Sequence, residues 1–75
     1  MDANLRNLVE TKMGKATGYN ADAIVAHKAG KNYEPPTFSM GLAAGNYQGD
    51  FVSRDGKLYF VHRLPEYRQE LVEVA

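Results

Sequence analysis

The residues best suited to acid–base or metal chemistry are two histidines, His27 and His62. His27 falls in a predicted helix, and His62 falls on the core face of a predicted hairpin, near its open end. A metal site needs three or four converging ligands, which often share a short spacing. No histidine–carboxylate cluster in the chain has such a spacing. We therefore interpret both histidines as structural or solvent-facing, and we predict no metal ligands and no cofactor.

Gly14-Lys15 is the only pair that suggests phosphate binding. The phosphate-binding loop requires a glycine five residues before that glycine and a hydroxyl residue after the lysine. Val9 and Ala16 occupy those two positions. The pair therefore does not predict a nucleotide site.

Catalysis requires a nucleophile or an acid–base pair held in a pocket. Ser39 and Ser53 have no base near them in sequence, and Glu66, Glu70 and Glu73 are typical of a solvated charged tail. A domain of 75 residues also has little core in which to enclose a pocket. We predict no catalytic residues and a protein that is not an enzyme.

Length and composition favour one small domain covering residues 1–75. There is no cysteine, and nine basic residues balance nine acidic ones. The absence of cysteine fits a reducing compartment, and no apolar run has the ~20 residues of a membrane span. These features predict a cytoplasmic protein without a membrane partner.

The first part of the chain, residues 1–29, is predicted to be helical. Apolar residues at helical spacing predict a helix over residues 3–13. Asp2 stands directly before it and is a suitable N-cap. A second helix over residues 21–29 begins after Asn20 as its N-cap and ends at Gly30. Residues 30–45 form a long loop with one short helical turn near Met40–Ala44, and loops of that length are often functional.

A β-hairpin over residues 46–64 is the clearest predicted element. Asp55-Gly56 is a preferred type I′ turn, and this turn places Phe51 opposite Phe60. Alternation then divides the side chains between two faces. The core face holds Tyr47, Phe51, Leu58, Phe60 and Leu64, and the other face holds Gln48, Asp50, Val52, Tyr59, Val61 and Arg63.

Residues 65–75 are ambiguous between a helix and a third strand. Tyr67, Leu71 and Val74 follow helical spacing after Pro65, whereas adjacent Leu71 and Val72 interrupt strict alternation. We favour the helix, although a third strand would stabilise the hairpin. The predicted fold class is α+β: two short N-terminal helices packed on a C-terminal antiparallel hairpin, followed by a helix or third strand.

The hairpin face that lies away from the core predicts a protein-binding site. Val52, Tyr59 and Val61 are expected to be partly uncovered there, and a basic rim surrounds them. We expect a small non-enzymatic adaptor, inhibitor or assembly factor of the phage type, which binds a protein with an acidic surface or forms a homodimer. The rim consists of Arg54, Lys57 and Arg63.

A nucleic-acid function is the alternative. Thr11-Lys12, Lys15, Gly18, Ala23-Ile24 and Ala29-Gly30 resemble the helix-turn-helix of phage Cro-type repressors, and the hairpin is similar to their β-ribbon. The resemblance implies DNA binding, but base edges are read by Arg, Lys, Asn and Gln. The residues that would face the bases are Ala21, Asp22, Val25 and Ala26. Under this alternative, the contacts to nucleic acid come from Lys12, Lys15, Asn20, Lys28 and Lys31.

Overall fold

The computed structural model describes residues 1–38 and 46–75. The helical turn predicted near Met40–Ala44 lies outside these residues. The described chain is α+β, as predicted: helices come first and an antiparallel sheet follows. The elements in order are α1 (Ala3–Gly14), α2 (Tyr19–Lys28), β1 (Thr37–Phe38), β2 (Asn46–Tyr47), β3 (Phe51–Arg54), β4 (Lys57–Leu64) and β5 (Arg68–Glu73).

Helix α1 begins as the sequence predicts. The Asp2 carboxylate accepts a hydrogen bond of 2.8 Å from the backbone N–H of Leu5, which otherwise has no partner in the first turn. Val9 is buried against the sheet, and Leu5 packs at its side. In the described part of the chain, no helix has the length and apolar character needed to cross a bilayer.

Helix α2 differs from the prediction at its start. It begins at Tyr19, its N-cap is Gly18, and no side chain bonds to its first turn. The prediction that Asn20 is the N-cap is wrong, because its side chain bonds instead to Asp50 at the start of the sheet. The predicted end is confirmed, since Gly30 follows the helix with a φ of 71°.

The main sheet has three antiparallel strands in the order β3-β4-β5. The turn between β3 and β4 is centred on Asp55 and Gly56, with φ values of 54° and 81°. Both residues have the positive φ of a type I′ turn, and Phe51 lies opposite Phe60. The predicted hairpin register is therefore confirmed over β3.

The core lies between the helices and one face of this sheet. Phe51 and Phe60 are buried, and their ring centroids are 5.4 Å apart in a tilted arrangement. Such aromatic pairs add stability beyond the area that they bury. Val9, Ala23 and Leu58 complete the buried cluster.

The C-terminal segment is a strand, so the preference for a helix is wrong. Strand β5 pairs with β4 from Leu64 opposite Arg68 to Tyr59 opposite Glu73. Leu71 and Val72 point to opposite faces, and both are half-buried. Adjacent apolar residues fit this strand because the chain covers both faces of the sheet.

The predicted hairpin does not extend to Tyr47, which is not on the core face. Strand β2 pairs with β1 in a separate two-stranded sheet. The chain leaves the β4 register near Gly49, where a Cβ atom would lie 2.9 Å from side-chain atoms of both Pro35 and Tyr19. Only glycine fits so close an approach, which brings together residues distant in the chain.

The region predicted as a loop also contributes to the main sheet. Tyr33 and Ser53 exchange two backbone hydrogen bonds of 2.8 Å, and the Ser53 hydroxyl donates to the carbonyl of Lys31. The outer edge of β3 is therefore paired within the chain at Ser53. Tyr33 and Thr37–Phe38, which the sequence analysis placed in a loop, therefore take part in strand pairing.

Candidate protein-interaction site

The hairpin face predicted to bind a partner is largely covered. Val52 and Val61 are 0% exposed, so the prediction that they are partly uncovered is wrong. Tyr59 is half-buried, and Lys57 and Arg63 are exposed. An approaching protein cannot contact the two valines in this conformation.

The physical reason is that the chain around Tyr47 lies over this face. The Tyr47 N–H donates to the Gln69 side chain at 3.1 Å, and its carbonyl accepts from Arg63 at 2.9 Å. Arg54 also donates to the Tyr47 hydroxyl at 3.4 Å. By strand alternation, the side chains of Gln69, Arg63 and Arg54 lie on the same face of the sheet as the two valines. The covering segment follows the close approach at Gly49, so sequence pattern alone did not indicate it.

The basic rim is paired within the chain. Each of its three residues contacts a carboxylate, which reduces the positive field that was expected to attract an acidic partner. The pairs are Arg54 with Glu34, Lys57 with Glu73 at 3.6 Å, and Arg63 with Asp50.

Asp50 connects both helices to the sheet. Its carboxylate is 15% exposed and contacts Lys12 at 3.4 Å, Asn20 at 3.0 Å and Arg63. Partial burial alone would raise the pKa of Asp50. Hydrogen bonds from Asn20 and Arg63 and the charges of Arg63 and Lys12 outweigh burial and lower that pKa. This cluster is well placed to hold the fold together.

The residues assigned to nucleic acid divide into two groups. Lys12 and Asn20 contact Asp50, so both side chains already have a partner within the chain, although Lys12 itself is exposed. The other three, Lys15, Lys28 and Lys31, are exposed.

Helix α2 also carries an acid on the side expected to face DNA. The Asp22 carboxylate accepts from the Tyr33 hydroxyl at 3.4 Å. Desolvation, then the charge of Asp22 and this hydrogen bond, raise the pKa of Tyr33. An acidic group at this position would repel phosphate.

The histidines occupy separate places. His62 Nδ1 lies 2.9 Å from a Glu70 carboxylate oxygen on the neighbouring strand. His27 Nδ1 is buried and has no hydrogen-bond partner among the described residues. Within residues 1–38 and 46–75, no three metal-ligating side chains converge.

The turn between β4 and β5 belongs to the third-strand alternative, and its backbone conformation was not predicted. Glu66 and Tyr67 have φ values of 63° and 59°, although neither is a residue type that favours the left-handed region. Tyr67 is nevertheless 69% exposed. The signal available in the sequence was Pro65, which marks a corner but does not predict two successive left-handed residues. We refer to residues 65–67 as the β4–β5 corner.

A shallow cleft of about 550 Å³ lies beside this corner. Apolar rings and aliphatic groups form part of its wall, and two arginines and a glutamate provide charge. Its lining among the described residues includes Phe38, Tyr47, Leu64, Glu66, Tyr67 and Arg68.

The outer edge of β5 faces away from β4. The Val61 N–H donates to the Asp50 carbonyl, so it points toward β3. Backbone N–H directions alternate along a strand, so Phe60 and His62 point toward β5. Their partners on β5, Val72 and Glu70, direct their backbone groups toward β4. The backbone groups of the alternate residues of β5 therefore point outward. These are Gln69, Leu71 and Glu73, whose backbone groups make no hydrogen bonds to other described residues.

Comparison of the chain with protein-family models, curated proteins and solved structures finds no match.

Proposed function

We propose that this protein is a small, non-enzymatic protein-binding module that acts in the cytoplasm as an adaptor, inhibitor or assembly factor. Its contact with the partner is made by the β4–β5 corner rather than by the buried hairpin face. The observation that carries the proposal is Tyr67, a large aromatic side chain 69% exposed on a backbone of positive φ.

The backbone conformation supports a role outside folding. Each non-glycine residue in the left-handed region costs roughly 1–2 kcal/mol. Glu66 and Tyr67 occupy this region in succession, whereas glycine or asparagine would form the same turn at lower cost. The tyrosine gains little from the fold in return, because most of its surface is in solvent. Its presence is better explained by contact with a partner.

The chemistry of the corner favours a partner surface that combines an apolar group with an acid. Tyrosine and arginine are the residues most often found as interface anchors. Arg68 is exposed beside Tyr67, and its guanidinium bonds to the Pro65 carbonyl at 3.3 Å. Among the described residues it contacts no carboxylate, in contrast to the two arginines and one lysine of the hairpin rim. An acidic group of the partner can therefore pair with Arg68 while an apolar group contacts Tyr67.

The test replaces Tyr67 with a photo-crosslinking phenylalanine analogue and irradiates the protein in lysate, with and without nuclease. The matched control places the same analogue at Val25, which is also highly exposed but lies on α2. A second pair of variants, Tyr67→Ala and Val25→Ala, is compared in affinity capture. We expect one protein to crosslink at position 67 only, and we expect its capture to fall at least tenfold in Tyr67→Ala.

Three results would contradict the proposal. Equal crosslinking at positions 67 and 25 would indicate nonspecific adhesion. Unchanged capture by Tyr67→Ala would move the interface away from the corner. Loss of all crosslinks after nuclease treatment would favour the DNA-binding alternative, with Lys15, Lys28 and Lys31 as the exposed contacts.

A further inference from the structure

We propose that a second copy of this chain pairs with the outer edge of β5, so that two three-stranded sheets join into one antiparallel sheet of six strands. This inference uses a surface distinct from the β4–β5 corner and does not depend on the proposed function. It rests on the backbone direction of β5 and on the residues that a two-fold axis would bring together.

The two edges of the sheet differ. On the outer side of β3, an isolated bridge pairs Tyr33 with Ser53, so the chain itself occupies the middle of that short edge. On β5, the backbone groups of Gln69, Leu71 and Glu73 point outward without partners among the described residues. An unpaired edge of this kind is a template for another strand.

The side chains favour one register for a two-fold pair. When Leu71 lies opposite Leu71 of the second copy, Gln69 lies opposite Glu73 of the second copy, and the same contact occurs twice. A shift of two residues in one direction would instead place Glu70 opposite itself, and like charges directly opposite are destabilising. A shift in the other direction would place Leu71 opposite Glu73. The first register also places Glu70 opposite Val72, but it alone pairs an amide with a carboxylate and leucine with leucine.

The side-chain amide of Gln69 is oriented so that it can donate to Glu73 of the second copy. Its side-chain oxygen accepts from the Tyr47 N–H at 3.1 Å, so the amide orientation is fixed and its NH₂ group can donate. Glu73 lies on the same face of the sheet and is exposed, with Lys57 at 3.6 Å. A carboxylate flanked by an ammonium group can still accept a further hydrogen bond.

Helix α1 also presents apolar surface close to this edge. Met1 and Met13 are exposed, and with Val74 they line a shallow cleft between the helix and the residues after β5. A two-fold axis perpendicular to the sheet places both copies of α1 on the same side of it. Pairing at β5 would therefore bring the apolar surfaces of the two α1 helices to one side of the joined sheet.

The arrangement has a consequence for the β4–β5 corner. Tyr67 of one copy would lie eight residues along the paired strands from Tyr67 of the other, a separation of roughly 27 Å at the rise of a β-strand. A dimer would therefore present two tyrosine corners to partners, which raises apparent affinity for a partner with two matching sites.

The test is sedimentation equilibrium of the purified protein over a concentration series. We expect a monomer–dimer equilibrium in the parent and at least about a tenfold weaker dimer in Gln69→Glu, which places two carboxylates opposite each other. The double variant Gln69→Glu/Glu73→Gln exchanges the two groups, and we expect its dissociation constant to return to within about threefold of the parent. Glutamate at position 69 can still accept from Tyr47, so the monomer keeps its own contact.

Leu71→Lys is a second variant, which places two ammonium groups opposite each other on the two-fold axis and is also expected to weaken the dimer. The control is Val25→Lys, an equally drastic change on exposed α2 that should leave the dimer unchanged. Circular dichroism must match the parent for each variant.

A parent that stays monomeric up to about 1 mM would overturn the inference. So would a dimer that neither Gln69→Glu nor Leu71→Lys weakens, or one that the double variant does not restore. A dimer that persists in Tyr67→Ala while partner capture is lost would separate this inference from the proposed function.

Discussion

The two turns of the main sheet use the same backbone conformation with very different residues. Asp55-Gly56 joins β3 to β4 with residue types that accept positive φ, and it sets the register that buries Phe51. The β4–β5 corner places glutamate and tyrosine in the same region, and it exposes the tyrosine. The first turn serves folding at little cost. The second places two unfavoured residue types in a strained region, which is the pattern expected if the corner contacts a partner, as we propose.

The same division extends to the polar groups around each turn. On the side of β3, the carboxylate of Asp50 is bonded on several sides, and the strand edge is paired with Tyr33. On the side of β5, Leu71 directs its backbone groups away from the sheet. We therefore expect substitutions near β3 to change stability and substitutions near β5 to change association.

The largest effect on stability is expected at Asp50. Asp50→Ala removes hydrogen bonds to Asn20 and Arg63 and should destabilise the fold by about 1–3 kcal/mol. Urea denaturation followed by circular dichroism measures the change. Tyr67→Ala is the control, because a mostly exposed side chain should change the free energy of unfolding by less than about 0.5 kcal/mol. Equal losses of unfolding free energy in the two variants would contradict the proposed difference between the β3 side of the sheet and the β4–β5 corner.

The charge of Asp50 also predicts a pH dependence. Its pKa is lower in the folded protein than in the unfolded chain, so its contribution is full above the unfolded pKa of about 3.9. That contribution is lost as pH falls through the folded pKa. The parent should therefore lose more stability below about pH 4 than Asp50→Asn does. Parallel pH profiles of the two proteins would contradict this assignment.

A smaller loss is expected at the first turn. Gly56→Val places a β-branched residue at a φ of 81° and should destabilise the protein by about 1 kcal/mol or more. Apart from residue 56 itself and its two chain neighbours, no described atom lies within 4 Å of the added Cβ position, so the cost is conformational and not a clash. Gly56→Asn, which tolerates positive φ, is the matched control and should lose less. A Gly56→Val variant that melts like the parent would rule out the type I′ assignment.

The smallest effect has the opposite sign. Glu66→Asn introduces a residue that accepts positive φ and should stabilise the protein by about 0.5–1 kcal/mol. Thermal unfolding gives the sign directly. A stabilised variant would show that the β4–β5 corner stores strain, whereas a destabilised one would show that Glu66 contributes to folding.

The parts of the fold that sequence predicted are those set by neighbouring residues. Asp2 caps α1 through a contact three residues away, and Asp55-Gly56 forms its turn alone. The missed parts depend on distant residues. Asn20 meets Asp50 thirty positions away, and Gly49 packs against Pro35 only once the chain has folded.

The candidate site was missed for a related reason. Tyr59 and the two valines were predicted to form an exposed face, because the segment that covers them is placed by contacts between residues far apart in the chain. The preference for a helix after Pro65 then obscured both β5 and Tyr67. Helical spacing of three apolar residues was a weaker signal than the pairing that β4 offered to a third strand.

Hydrogen exchange of individual β5 amides, measured by NMR as the protein is diluted, tests the central claim most directly. The Val72 amide points toward β4 and should exchange slowly at every concentration. The Leu71 amide points outward and should exchange much faster in dilute protein, then become protected as concentration rises. Slow exchange of the Leu71 amide at the lowest concentration would contradict the account, because the edge of β5 would then be closed within a single chain.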